Sequence, residues 1–424
     1  MPPMAFTSED ARNPLRSSMN AHPHEGTILR NQTRKSAAAE AARVLRSGAR
    51  PRVLVGFDGF LDVILRAVDT RASMRTEDFT PIGTIGALSH RIAAAAGRSA
   101  NIELVEVERR FGGNGPLLAG SLGALGAGVT YIGCVGEDAM EAPPGRVHDA
   151  FTPFASRCQR VLAVAPPAVT YALEFGDGKI MFNMPQAIQG VTWATLLRDL
   201  GREAIIEAVR GADLIGVVNW SIMAGVDTIL TGLRDDVLTH LSAGAPRKRM
   251  FIDLSDPAKR TRADLRRVLD LLASIQSRAD VTLGLNLSEA TQVASVLGAS
   301  CDESMLDSIR TLPDGCIALA AGVQERVGLS CVVVHPRQGA AGATASQRMW
   351  IDGPMVREPR LSTGAGDHFN GGFAFAQATG CSLEACLAMG VGTSGAYVRD
   401  AGSPDAQRLA AFLDDLPEPD ERDS

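Results

Sequence analysis

The 424-residue sequence lacks the features of a secreted, membrane-spanning or nucleic-acid-binding protein. Its N-terminus has neither the charged start nor the apolar run of a signal peptide, and no apolar stretch is long enough to span a bilayer. Its formal net charge is −6, whereas nucleic-acid binders usually carry a basic excess. These absences predict a cytoplasmic protein without a nucleic-acid or membrane partner.

Cysteine spacings typical of metal or redox sites are also missing. The seven cysteines are an odd number, are scattered along the chain and include no Cys-x-x-Cys. This usage indicates reduced, mostly buried thiols in a reducing compartment. It gives no support to a structural zinc site.

After residue 52 the chain alternates short β-branched runs with Ala- and Leu-rich stretches. The apolar runs are at 53–55, 129–132, 214–218, 250–252, 281–283 and 331–334. Strands that alternate with helices favour βαβ units and a mainly parallel sheet. Residues 170–182 break this rhythm, because two extended runs flank Gly176-Asp177-Gly178 and predict a β-hairpin.

We therefore expect an α/β fold of three layers, α/β/α, with a mainly parallel central sheet and a small β lid. The main domain would span 36–414, with lid elements near 57–85 and 168–185. Residues 1–35 are polar and are predicted to be disordered, with a helix beginning after Ser36. The Gly- and Ala-rich run 336–348 predicts a flexible loop, and 415–424 an acidic, frayed tail.

The most informative segment is a glycine-rich turn, Thr363-Gly364-Ala365-Gly366-Asp367, followed by a small-residue run that predicts a buried helix. Unpaired N–H groups and the positive dipole end of a helix N-terminus together form an anion hole suited to phosphoryl charge. Asp367 beside it is placed to accept the proton of an attacking hydroxyl. A tight turn with Asp367 as a capping residue is the alternative for the turn taken alone.

This turn and two further segments resemble the signatures of the PfkB (ribokinase-like) carbohydrate kinases. The second segment, residues 111–138, begins with Phe-Gly-Gly-Asn and ends in Val-Gly-Glu-Asp; the third contains Asn-x-x-Glu at 286–289. The three segments lie in the family's order and spacing within 53–410. The resemblance implies a kinase that transfers the γ-phosphoryl of ATP to a hydroxyl of a sugar or sugar-like molecule, with Mg²⁺.

The resemblance also implies roles for individual residues. The catalytic group would comprise Asp367 as base and Gly364, Ala365 and Gly366 as the anion hole. Substrate would be bound by Gly112, Gly113, Asn114 and one of two aspartates, Asp62 or Asp58, between which spacing does not decide. Nucleotide would contact Asn286, Glu289, Thr363, Thr393 and Gly402, with Glu289 holding the metal through water. Asn286 and Glu289 equally suit a helix-capping pair.

The chain departs from the family pattern at several positions. Leu361 replaces an aspartate that often belongs to a monovalent-cation site, so potassium activation is left open. His335-Pro336-Arg337 replaces the usual Thr-x-Gly after a strand, so the nucleotide loop is expected to differ. His368, next to the base, is predicted to be an exposed helical residue. Family members often pair through the lid, which implies a homodimer.

Two other functions stay open from the sequence. A nucleoside acceptor would need an apolar or aromatic clamp, and aromatic residues are only 5% of the chain. A catalytically weak ligand-binding sensor of the same fold would explain the departures at Leu361 and His335, but not the intact Gly-Ala-Gly-Asp turn. A dinucleotide-binding dehydrogenase fails on position, because its glycine fingerprint should follow an early strand.

Overall fold

The structure, a computed structural model, describes residues 23–137, 145–241, 246–298 and 313–418. Within these residues a nine-stranded sheet carries a second, smaller sheet at one side. The predicted Asp138 at the end of the second signature, Cys301 and residues 1–22 lie outside the described residues.

The strands follow the predicted apolar runs and add several others. Their bounds are β1 Arg52–Phe57, β2 Phe60–Arg71, β3 Phe79–Pro81, β4 Leu104–Gly112, β5 Gly128–Gly133, β6 Arg160–Ala163, β7 Ala168–Phe175, β8 Gly178–Met184, β9 Leu214–Val217, β10 Lys248–Asp253, β11 Ala279–Leu285, β12 Cys331–Val334, β13 Gly339–Ala343 and β14 Arg348–Asp352.

The helices connect these strands and cover both faces of the large sheet. Their bounds are α1 Pro23–Arg46, α2 Ile85–Ala93, α3 Asn114–Ala124, α4 Thr152–Ala155, α5 Gln186–Gln189, α6 Trp193–Leu200, α7 Arg202–Gly211, α8 Val226–Gly232, α9 Arg262–Gln276, α10 Leu287–Val296, α11 Asp314–Val327, α12 Ala365–Ala378, α13 Leu383–Asp400 and α14 Ala406–Asp414.

The central sheet has the order β14-β13-β12-β11-β10-β9-β1-β5-β6. Strands β6, β5, β1, β9, β10, β11 and β12 pair in parallel in this order, and only β13 and β14 of this sheet run antiparallel to their neighbours. Successive side chains of a strand point to opposite faces, so Leu54 enters one apolar cluster while Val53 and Val55 enter the other. This three-layer α/β/α arrangement confirms the fold predicted from the sequence.

The lid is a five-stranded sheet of β3, β2, β7 and β8, with β4 also paired to β2. The predicted hairpin is confirmed: β7 and β8 pair antiparallel, with Phe175 opposite Gly178 and a turn at Gly176 and Asp177. Strand β4 was not predicted, since its sequence Leu-Val-Glu-Val-Glu-Arg-Arg-Phe-Gly is largely charged. It pairs with β2 in the lid sheet and ends at Gly112, and α3 begins two residues later at Asn114.

The predicted disorder of 1–35 is wrong for residues 23–35, which form the first half of α1. The reason is a buried arginine: Arg34 is only 2% exposed and its guanidinium donates to the backbone oxygens of Asp352, Leu416 and Pro417. It also pairs with Glu418. The same contacts hold residues 415–418 against the core, so the prediction of a frayed tail was wrong for these residues.

The predicted flexible loop at 336–348 is also wrong. Residues 339–343 form β13, and all five are buried. Small side chains are required here because α13 packs closely: a Cβ at Gly342 would lie 3.0 Å from Leu383 Cδ1. Among the described residues, no helix has the length and apolar character needed to cross a bilayer.

Candidate active site

A cavity of about 460 Å³ opens at the carboxyl ends of the central strands, beside α12 and α13. Ligands of open α/β sheets bind at this edge, and the volume is typical of small-molecule sites. Its polar lining brings together residues far apart in sequence: Asn114, Asp253, Asp256, Asn286, Glu289, His335, Arg337, Gly366 and Asp367. The three signature segments therefore converge on one cavity.

The glycine turn lies at the N-terminus of α12. Gly364 precedes the helix with a φ of 86°, a left-handed conformation that glycine adopts without strain. Ala365, Gly366 and Asp367 form the first helical turn, whose N–H groups have no partner four residues earlier inside the helix. The Ala365 amide donates to the Ser362 carbonyl at 3.3 Å. An anion bound at this turn would therefore be met by the amides of Gly366 and Asp367.

Asp367 is almost completely buried beside this turn. Its Oδ1 accepts a hydrogen bond from Asn114 Nδ2 at 2.9 Å. Burial raises the pKa of Asp367 well above its ordinary value, and the charge of Asp253 raises it further, while Asn114 opposes the shift. Once deprotonated, a carboxylate in this environment is a stronger base than one in water.

Two aromatic side chains fix the backbone of the turn. The Tyr397 hydroxyl donates to the Thr363 carbonyl at 2.7 Å, and His368 Nδ1 donates to the Gly364 carbonyl at 2.8 Å. Their rings stack with centroids 3.6 Å apart. The prediction that His368 is exposed was wrong, because the residue is only 1% exposed. Burial lowers the pKa of its imidazole to about 4. It is buried because helix α12 packs its first turn against α13.

Asn286 and Glu289 line the cavity and also cap α10. The Glu289 amide donates to Asn286 Oδ1 at 3.0 Å, and the Asn286 amide donates to Glu289 Oε2 at 2.9 Å. Burial raises the pKa of Glu289 to about 8, and the charge of Asp253 contributes to the shift. The capping alternative is therefore confirmed. The same two residues also line the cavity, where they were predicted to contact the nucleotide.

The chemistry of this donor set suits a hard divalent cation. Asp253, Asp256 and Glu289 all face the cavity, and because burial and the charge of Asp253 raise the pKa of Glu289, a cation beside it would stabilise its charged form. In the described part of the chain no three acidic, histidine or cysteine side chains lie close enough to hold an ion directly. Mg²⁺ keeps several waters when it binds proteins, so contact through water fits this arrangement.

The two candidate substrate aspartates have different environments. Asp58 is fully buried, and its carboxylate accepts from the amides of Asn114 and Gly115 and from Asn219 Nδ2 at 2.7–3.0 Å. Burial raises its pKa to about 6, while these donors oppose the shift. Its donors already occupy the carboxylate, so Asp58 holds the start of α3 in place.

Asp62 lies on β2 of the lid and is only partly buried. It has Arg110 of β4 on one side and Thr170 of β7 on the other, as strand register dictates. Burial raises its pKa, while Arg110 opposes the shift. A side chain at Gly112 would place its Cβ 2.5 Å from Asp62 Oδ2, so glycine there keeps the carboxylate accessible. Asp62 is the aspartate available to a ligand.

Three of the predicted nucleotide contacts lie away from the cavity lining. Thr393 is fully buried between α12 and α13, where its hydroxyl donates to the Met389 carbonyl at 2.7 Å. Gly402 is exposed beyond the end of α13. Thr363 faces the lid, where its Oγ1 accepts from Lys179 Nζ at 2.7 Å. Small residues in this helix serve helix packing, and the cavity is lined instead by Val391, Ser394, Gly395 and Val398.

The family model for prokaryotic ketohexokinases matches residues 30–416. This chain belongs to that family. The kinase is 27% identical over 365 residues to a ketohexokinase of Haloferax volcanii, a match that covers 85% of this chain and 90% of the relative.

Solved structures agree on the ribokinase fold of the kinase. Ribokinase of Arabidopsis thaliana, in complex with ribose and ATP, superposes with a TM-score of 0.56 at 16% identity, covering 86% of this chain and 99% of the other. Phosphofructokinase-2 of Escherichia coli, in complex with fructose-6-phosphate, gives the same four values. Membership of the ketohexokinase family makes this chain a carbohydrate kinase of the PfkB type, a phosphotransferase with an alcohol acceptor.

Sequence reasoning missed two residues that contact the predicted site residues of the kinase. Asn219 follows β9 at the same edge of the sheet, donates to Asp58, and has a buried Oδ1 with no partner among the described residues. A polar residue directly after an apolar run was the available signal. Lys179 gave no such signal, because its approach to Thr363 depends on how the lid docks. The departure at His335 places an imidazole in the cavity, stacked on Phe369 with ring centroids 4.5 Å apart.

Proposed function

We propose that the chain transfers the γ-phosphoryl of MgATP to a hydroxyl of a ketohexose, with Asp367 as the general base. The observation that carries this proposal is the position of Asp367: buried at the N-terminus of α12, oriented by Asn114 and open to the cavity. Family membership supports the ketohexose acceptor.

Each side chain has a part in this transfer. Asp62 binds hydroxyls of the sugar through charge-assisted hydrogen bonds, and Asp367 accepts the proton of the attacking hydroxyl. The amides of Gly366 and Asp367 stabilise the charge on the transferred group. The amide of Ala365 takes no part, because it donates to Ser362.

Nucleotide occupies the cavity between α13 and the strand ends. Val391, Gly395 and Val398 give an apolar wall that suits the flat base, while Asn286 and Glu289 face the phosphates. Mg²⁺ neutralises phosphate charge in such transfers, and Glu289 would hold it through water. Arg337 replaces the family's usual loop residues and supplies a positive charge at the cavity wall.

The test is ADP release from MgATP across ketohexoses, aldohexoses, pentoses, inositols and nucleosides, with Asp367→Asn in parallel. We expect turnover with a ketohexose and a loss on the order of 10³-fold in kcat for the variant, as for removal of a general base. Asparagine can still accept from Asn114, so nucleotide affinity measured by calorimetry should be retained. A fully active variant would show that Asp367 is not the base.

A further inference from the structure

Lys179 is a lid residue whose contact falls on the catalytic turn. It lies on β8, just after the hairpin turn, and its ammonium donates to Thr363 Oγ1 at 2.7 Å. These residues are 184 positions apart, so the contact exists only because the lid lies over the start of α12. Thr363 immediately precedes Gly364 of the anion hole.

The charge of Lys179 is not committed to a carboxylate. Glu174 lies directly opposite it in the β7–β8 register, on the same face of the lid. Even so, among the described residues no acidic side chain forms an ion pair with Lys179, and its ammonium donates to a neutral hydroxyl. A lysine ammonium has three donors, so two remain for a ligand.

The position of Lys179 lies between the two halves of the site. Its positive charge acts on Asp62, where it opposes the rise in that carboxyl's pKa. On its other side it contacts the edge of the turn that holds Asp367. A phosphoryl group that leaves the nucleotide for a sugar bound at Asp62 must cross the gap between these two groups.

The surroundings also need a cation at this place. Four carboxyl groups line the cavity, those of Asp253, Asp256, Glu289 and Asp367. The group in transfer spreads its negative charge over three equatorial oxygens, and nearby carboxylates would repel it unless positive charge met it on the sugar side as well as the nucleotide side. The lid can supply that charge through Lys179.

We propose that Lys179 is a catalytic residue that binds the transferred phosphoryl group and the phosphate of the sugar product. Closure of the lid over the bound sugar brings the ammonium to the group in flight, so phosphoryl transfer depends on the closed lid. No covalent bond is made to Lys179, and it exchanges no proton. The inference rests on the proposed function, since it requires a sugar acceptor at Asp62.

The test compares Lys179→Met, which keeps the length of the side chain but removes the charge, with Lys179→Arg, which keeps the charge. We expect Lys179→Met to lower kcat by roughly 10²-fold, the usual loss for one donor to a developing negative charge. Lys179→Arg should retain a tenth or more of the activity. The KM of the ketohexose should change less than about threefold in both, because the ammonium binds the phosphoryl group and not the free sugar.

A second measurement does not depend on turnover. Calorimetry should show that Lys179→Met loses affinity for the phosphorylated ketohexose and keeps its affinity for the free ketohexose. Glu174→Gln is the matched control, since it changes one charge at the same lid register without reaching Thr363. It should leave both affinities and kcat near wild type. Thermal unfolding of each variant checks that the fold is intact.

The outcomes separate this inference from the proposed function. If wild type phosphorylates no ketohexose, the proposed function fails first. If wild type is active and Lys179→Met has the same kcat and product affinity, the assignment of Lys179 is wrong. Equal losses in Lys179→Met and Glu174→Gln would also overturn it, because the lid residue would then act only on lid structure.

Discussion

Two aspartates in one short segment show how local environment separates a structural carboxylate from one that we propose to bind the sugar. Asp58 follows β1 and accepts three hydrogen bonds in the buried angle between β1 and α3. Asp62 lies on β2 of the lid, and Gly112, the residue beside its carboxylate, has no side chain to cover it. Spacing alone could not decide which aspartate binds the substrate, because each of them lies between two strand-like runs.

Substitution of each by asparagine should therefore have opposite consequences. Asp58→Asn turns an amide NH₂ toward at least one of three donors and should cost about 2–3 kcal/mol of unfolding free energy. Asp62→Asn should leave stability near wild type. It should raise the ketohexose KM roughly tenfold to a hundredfold, since a hydrogen bond to a charged group contributes about 1.5–3 kcal/mol.

Urea unfolding and steady-state kinetics on both variants make the comparison, and each variant is the control for the other. Nucleotide affinity should be unchanged in Asp62→Asn, because the lid does not line the nucleotide cavity. If Asp62→Asn leaves the ketohexose KM unaltered, Asp62 does not bind the sugar and Asp58 becomes the candidate.

At the scale of elements, α1 is part of the core although its sequence resembles a polar tail. One side of it carries the buried residues Ala37, Ala38, Ala41, Ala42 and Leu45. It contacts α13 and α14, and Arg34 joins it to the last described residues of the chain. The N-terminal helix thus closes the layer that holds α12 and its catalytic turn.

Two arginines of α1 offer a matched test. Arg34→Ala removes a buried guanidinium that donates to three part-buried backbone oxygens, and it should cost about 2–4 kcal/mol. Arg46→Ala removes only an exposed pair with Asp414 and should cost less than about 1 kcal/mol. Chemical denaturation gives both values. Equal and small losses would mean that α1 is dispensable for the core.

The elements also show where sequence patterns succeed and fail. Runs such as 281–283 and 331–334 were recognised because central parallel strands are continuously apolar. Strand β13 was not, because Gly339, Gly342 and three alanines resemble a loop unless α13 is known to press on them. Strand β4 failed for the opposite reason: its charged residues face solvent on the lid.

At the scale of the whole molecule, the site could be predicted as far as strand ends determine it. Asn286 and Glu289 follow an apolar run, Asp367 follows a glycine turn at a helix N-terminus, and all three line one cavity. Contacts between the lid and the central sheet could not be predicted. Lys179 meets Thr363 through the docking of two sheets, which no local pattern encodes.

The same convergence places several carboxylates in one cavity and should make stability depend on pH. The pKa values of Asp367 and Glu289 are raised, to about 8 for Glu289, so the folded state holds these protons more tightly than the unfolded chain. Their contribution is fully present below the ordinary carboxyl pKa of about 4. It is lost as pH rises through the raised values.

Asp367→Asn should therefore unfold at the same temperature as wild type near pH 5 and at a higher temperature at pH 8.5, because it carries no charge at either pH. Titration of all other groups largely cancels in this difference. Mg²⁺ should narrow the gap at pH 8.5, since a divalent cation relieves the repulsion that asparagine removes, whereas potassium chloride of equal ionic strength should not. Scanning calorimetry at both pH values, with each salt, measures all four differences. A gap that is constant with pH would mean that ionisation of Asp367 does not lower the stability of the folded state.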